Sequence, residues 1–140
     1  TLIAILLGPW ASVLIMTTVL FVQCLVFQDG GITTLAANIF NMGVVGGFLG
    51  YYVNAAVQSF VSGKRGIFVG GFVAAWLSLV LSAVCCAIEL GVSGTVPAKI
   101  AVPAMAGIHA VIGIGEGFIT VATLSLLLKV RPDMLSLQKI

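Results

Sequence analysis

Long apolar stretches separated by short polar ones account for nearly the whole chain. Leu2 to Phe27 is almost wholly apolar and is interrupted by Gly8-Pro9. Proline suits the first turn of a helix but breaks its interior. The pattern therefore predicts a short lead-in and then a helix over residues 10–27, close to the roughly 20 residues that cross a bilayer. Gln28-Asp29-Gly30-Gly31 reads as a turn, and Thr33 or Thr34 as the N-cap of a second span over 35–60. Ser62-Gly63-Lys64-Arg65-Gly66 reads as a basic loop. A third span follows over 67–90, with no polar residue bulkier than serine until Glu89. Gly91 to Pro97 is the next turn, and a fourth span covers 99–128, with Pro103 near its start. The tail, 129–140, contains Arg131-Pro132-Asp133 and ends polar. The expected fold is an all-α integral membrane protein with about four transmembrane helices bundled over residues 1–128.

Composition agrees with this reading. The 140 residues are 61% hydrophobic and 7% charged, against about 25% charged in a soluble domain. The net charge of +2 sits in loops and tail rather than on a helix face, so no nucleic-acid partner is expected. Three cysteines, an odd number, all in apolar runs, argue against a disulfide framework. The sequence starts at Thr1 inside an apolar run, without the charged segment and cleavage pattern of a signal peptide, and the natural N-terminus is expected further upstream. Lys64, Arg65, Lys129, Arg131 and Lys139, five of the six basic residues, fall on one side of a four-span arrangement. That side, with the tail, is expected to be cytoplasmic.

The chemistry concentrates in Gly107 to Gly117, which holds the single histidine and one of four acidic residues. Ionisable groups within a span are costly unless they face protein or a polar cavity. Met105, His109, Gly113 and Glu116 fall on one helical stripe, with Gly113 leaving space between the imidazole and the carboxylate. His109 lies about 15 Å along the fourth span, and Glu116 about 10 Å deeper. Asn38 and Asn41 share a face of the second span at similar depth and are the expected partners of that stripe. His109 and Glu116 have two readings: hydrogen-bonding contacts between helices, or part of a cation site or pathway with imidazole as ligand. Gly43, Gly46, Gly47 and Gly50 form two interleaved G-x-x-x-G pairs, a packing signal. An enzyme is not expected. No serine stands in a nucleophile motif, Gly113-x-Gly115-x-Gly117 has the wrong spacing for a dinucleotide, and no P-loop is present.

Two stretches carry a resemblance. Phe27-Gln28-Asp29-Gly30-Gly31-Ile32-Thr33-Thr34-Leu35-Ala36-Ala37-Asn38-Ile39-Phe40-Asn41-Met42-Gly43-Val44-Val45-Gly46 resembles the hallmark segment of the CbiM/NikM family. His109-Ala110-Val111-Ile112-Gly113-Ile114-Gly115-Glu116-Gly117-Phe118-Ile119-Thr120 resembles that family's later helix, and Leu6-Leu7-Gly8-Pro9-Trp10 also fits. The resemblance implies the substrate-binding membrane subunit of an energy-coupling factor (ECF) transporter for cobalt or nickel, a bundle of about seven spans of which this chain supplies the C-terminal four. It further implies a prokaryotic cell membrane and, when the ion is cobalt, a link to cobalamin synthesis. The implied partners are a transmembrane coupling subunit, a small accessory membrane subunit and a cytoplasmic ATPase, around a subunit that is not itself catalytic. Co2+ or Ni2+ would be cargo, and no permanently bound cofactor is expected. In the family the principal ligands come from an N-terminal Met-His and a Ser-Gly-His segment. By that resemblance they stand upstream of Thr1, and His109, Glu116, Asn38 and Asn41 form a supporting polar network. The alternative is a membrane scaffold or assembly subunit in which His109 and Glu116 only join helices.

Overall fold

The computed structural model describes residues 1–28 and 30–136. Asp29 of the expected turn, and residues 137–140 of the tail with Lys139, lie outside the described residues. Within them the chain is helical, and no strand is present among the described residues. Helix α1 (Leu2–Leu7) ends at Gly8, whose φ of 88° is open to glycine, and Pro9 opens α2 (Pro9–Val22) at its first turn. A π-helical turn (Gln23–Phe27) completes the first span. The second begins with a 3-10 turn (Ile32–Thr34), continues as α3 (Leu35–Asn38), widens into a π-helical turn (Ile39–Val45) and closes as α4 (Gly46–Phe60). Two long helices follow, α5 (Gly63–Val92) and α6 (Ala98–Val130), and then the short α7 (Asp133–Ser136). Four stretches are long and apolar enough to cross a membrane: Pro9–Phe27, Ile32–Phe60, Gly63–Val92 and Ala98–Val130.

The structure corrects several local expectations. Residues 63–66 are not a loop: α5 starts at Gly63, so Lys64 and Arg65 occupy its first turn. Thr34 stands at the N-cap position of α3 (Leu35–Asn38), but its side chain makes no capping bond there. The helix has already begun at Ile32, and Thr34 Oγ1 turns back to accept from Gly31 N (3.0 Å) and donate to Gly31 O (2.9 Å).

Helix α5 is central. It packs against α6, α4 and the Ile39–Val45 turn. Of its most apolar window 39% is buried, against 11–22% in the other three spans. Absent side chains are what let the neighbours approach. A Cβ on Gly113 would stand 2.8 Å from Trp76 Cδ1, and one on Gly117 would stand 2.6 Å from the Phe72 ring. Gly113 thus makes room for Trp76 of α5, not for space between His109 and Glu116. Trp76 Nε1 donates to Ala110 O at 2.9 Å, which locks the register of the antiparallel α5–α6 pair. The second-span glycines are likewise consumed internally: Gly43 and Gly47 face Met16 and Ser12 of α2, and Gly46 faces Ser82 of α5.

The buried apolar cluster of Ile5, Ala74 and Leu124, with Val53, Ile67 and Phe68 against it, sits toward the end carrying Lys64 and Lys129. At the C-terminal side Arg131 pairs with Asp133 at 2.8 Å. The hydrogen bond from the guanidinium holds the Asp133 carboxyl below its usual range.

Candidate metal-pathway site

Two adjoining cavities lie against α5. The first, about 240 Å3, is walled by Asn38, Asn41 and Met42 of the second span, Leu79, Ser82, Ala83 and Cys86 of α5, and Met105 and His109 of α6. The second, about 210 Å3, lies deeper and includes Thr1, Met16, Gly46, Ala75, Ser78 and Glu116. Met42, Leu79 and Ser82 line both. Thus Asn38, Asn41, Met105 and His109 share one cavity, and Glu116, seven residues on, belongs to its neighbour.

Hydrogen bonds fix which atoms the upper cavity offers. His109 Nδ1 lies 2.8 Å from Met105 O, one helical turn back. A carbonyl only accepts, so Nδ1 carries the proton in this bond, and in the neutral ring Nε2 keeps its lone pair. The bond lies within α6 and does not tie α6 to another helix. Asn41 Nδ2 donates to Glu89 Oε2 at 2.8 Å. This assigns the amide, because an ionised carboxylate only accepts. Asn41 is 3% exposed, and its Oδ1 has no partner among the described residues. Ser82 Oγ is also buried without a partner.

The Asn41–Glu89 bond departs from the expected pairing of Asn38 and Asn41 with His109 and Glu116. The cause is local geometry. Across Ile39–Val45 the backbone bonds run i→i+5 rather than i→i+4, so angular positions no longer follow an α-helical wheel. The turn carries Asn41 to the side where Glu89, in the last turns of α5, can meet it. Glu89 is the site residue that pattern reading passed over. A carboxylate at the end of an apolar span looks like an interfacial anchor, and nothing in the periodicity ties it to a residue 48 positions away. The signal available was an acidic side chain still inside the third span.

In chemical terms the residues lining the cavity carry an imidazole, two thioethers, a thiol, a hydroxyl and two amides, with no Lys or Arg among them. No group of three or more His, Cys, Asp or Glu side chains among the described residues is placed to hold a metal ion.

Comparison with known proteins identifies relatives of the chain as a whole. The family model for the cobalt uptake substrate-specific transmembrane region, CbiM, matches residues 1–134. The chain is 42% identical over 136 residues to a putative fused nickel transport protein NikMN of Archaeoglobus fulgidus, covering 96% of this chain and 44% of that protein. It is 32% identical over 141 residues to the cobalt transport protein CbiM of Sorangium cellulosum, covering 96% and 61%. A crystal structure of a truncated transition metal transporter superimposes with a TM-score of 0.81 at 34% identity, covering 92% of this chain and 65% of that one. The chain therefore spans less than two thirds of the length of either relative.

Proposed function

The chain belongs to the CbiM family, and from that premise we propose that it is part of the substrate-capture membrane subunit of an ATP-driven importer of cobalt or nickel. The observation that carries the proposal is the shared cavity of Asn38, Asn41, Met105 and His109. It gathers the polar groups of two separate spans, inside a membrane-crossing bundle, around a space lined by donors that suit a late transition-metal ion.

In this reading the principal ligands of the captured ion are supplied from upstream of Thr1. His109, Asn38, Asn41 and Glu116 support those ligands by hydrogen bonding, a role whose loss commonly costs 10–100-fold. The subunit performs no chemistry itself. A cytoplasmic ATPase, acting through a transmembrane coupling subunit and a small accessory subunit, moves the ion inward, where cobalt would feed cobalamin synthesis. Basic residues at the ends of α5 and α6 support a cytoplasmic C-terminal side.

The scaffold reading makes His109 and Glu116 interhelical contacts only. His109 does not fit it, since its bond returns to its own helix. The test is uptake of cobalt and nickel by cells expressing the full-length protein with its partner subunits. The scaffold reading gains if His109→Ala leaves uptake unchanged at equal membrane abundance.

A further inference from the structure

We infer that Glu89 is a positioning residue of the capture site. Acting through Asn41, it holds the π-helical turn Ile39–Val45 against α5 and so sets the wall of the upper cavity that Asn38 and Met42 form. Glu89 is not among the residues that line this cavity, and it works from behind the wall. The tie stands on geometry alone; its service to metal capture rests on the proposed function.

The bond stands where the second span has little else to hold it. Among the described residues it is the one side-chain hydrogen bond that joins residues 32–60 to another helix. Beyond the turn, toward Phe60, close helix contact serves instead. A Cβ on Gly46 would stand 3.1 Å from Ser82 Oγ, one on Gly47 3.2 Å from Ser12 Oγ, and one on Gly70 of α5 2.7 Å from Asn54 Oδ1. Before the turn, no residue of 32–40 is buried. That stretch is knit to itself: Thr34 bonds Gly31, and Asn38 Nδ2 lies 2.8 Å from where a Cβ on Gly30 would stand.

A π-helical ladder rarely runs beyond a single turn, so Ile39–Val45 depends on a tie from outside. Asn41, 3% exposed, supplies it by donating Nδ2 to Glu89 Oε2 at 2.8 Å. An ionised acceptor makes this bond stronger than one between neutral groups. Its loss would be costly, because Asn41 Oδ1 is already buried without a partner and the whole amide would then be unpaired. Asn41 stands between two lining residues, Asn38 one turn before it and Met42 directly after it, so a shift of the turn moves both. Met42 lines the lower cavity as well, and its place sets how the two spaces adjoin.

The test is hydrogen–deuterium exchange of the full-length protein in nanodiscs, read by mass spectrometry over residues 35–45 and 46–60. Glu89→Ala should speed exchange over 35–45 about tenfold, in line with the strength of a hydrogen bond to a charged group. Exchange over 46–60 should not change, which shows that the variant is folded. Asn41→Ala should speed exchange over 35–45 severalfold, and adding Glu89→Ala to it should change nothing further, because both remove one bond. Glu89→Gln keeps an acceptor for Asn41 Nδ2 and should stay within about threefold of wild type. In cobalt and nickel uptake by the intact transporter, Glu89→Ala should raise KM severalfold at matched abundance and leave the maximal rate, and Glu89→Gln should recover most of that loss. Unchanged exchange over 35–45 in Glu89→Ala would overturn the inference. So would a Glu89→Gln variant that exchanges as fast as Glu89→Ala, or a double variant in which the two effects add. Faster exchange with an unaltered KM would remove the positioning role. Faster exchange in a transporter whose wild type takes up neither ion would leave the tie standing and remove the transport reading.

Discussion

The atoms that define the upper cavity are set by single hydrogen bonds. His109 is confined to one tautomer by a carbonyl in its own helix, and Asn41 to one amide orientation by Glu89. Packing at this scale is equally specific. Gly113 and Gly117 are sites where any side chain collides with an aromatic ring of α5, whereas a Cβ on Gly107 or Gly115 meets nothing. The sequence shows four equivalent glycines in one helix; only the partner helix distinguishes them. Gly113→Ala should therefore destabilise the bundle by about 1–3 kcal/mol through overpacking against Trp76. Gly115→Ala should leave the melting temperature of the purified protein unchanged or slightly raised, since alanine favours helix. Equal melting of both variants with wild type would remove the close contact at Gly113. The Arg131–Asp133 pair is different in kind. Its Asp133 carboxyl is held low, so any contribution is present above the unfolded carboxyl range and is lost only as pH falls through that lowered value. Both side chains are 61% exposed, and Asp133→Asn should leave the melting temperature unmoved, as solvent screens such pairs.

At the scale of elements, the apolar pattern was enough to mark four spans and an all-helical membrane fold, because length and hydrophobicity alone decide what crosses a bilayer. It was not enough to mark the π-helical turn at Ile39–Val45. That turn changes which backbone groups bond, not which residues are apolar, so hydropathy carries no trace of it. The same blindness hid Glu89, whose meaning depends on the Ile39–Val45 turn lying beside α5. The motif stretches around Asn38–Asn41 and His109–Glu116 were legible as polar groups within spans, but their division between two cavities was not. The turn yields a test. Deleting Val44 should let this segment close as α-helix and rotate Asn41 relative to α4 by about 100°. Helical content by circular dichroism should hold while cobalt or nickel uptake falls severalfold. Normal uptake would mean that the turn does not position Asn41.

Across the whole molecule, an apolar core near the basic ends of α5 and α6 gives way to polar cavities toward the opposite end. The orientation can be read with a membrane-impermeant thiol reagent on a cysteine-free background. Ser93→Cys, in the exposed α5–α6 turn, should label in intact cells. Ser62→Cys, before α5, should label only after the membrane is opened; the reverse pattern would invert the topology. The central claim is metal capture supported by the α6 polar stripe, and initial-rate uptake of radiolabelled cobalt and nickel tests it most directly. The full-length protein would be assayed with its partner subunits, comparing wild type with His109→Ala at matched membrane abundance. The account predicts a loss of about tenfold or more, the usual cost of removing a group that orients metal ligands. Undiminished uptake of both ions by the variant, or no uptake of either ion by the wild type, would contradict it.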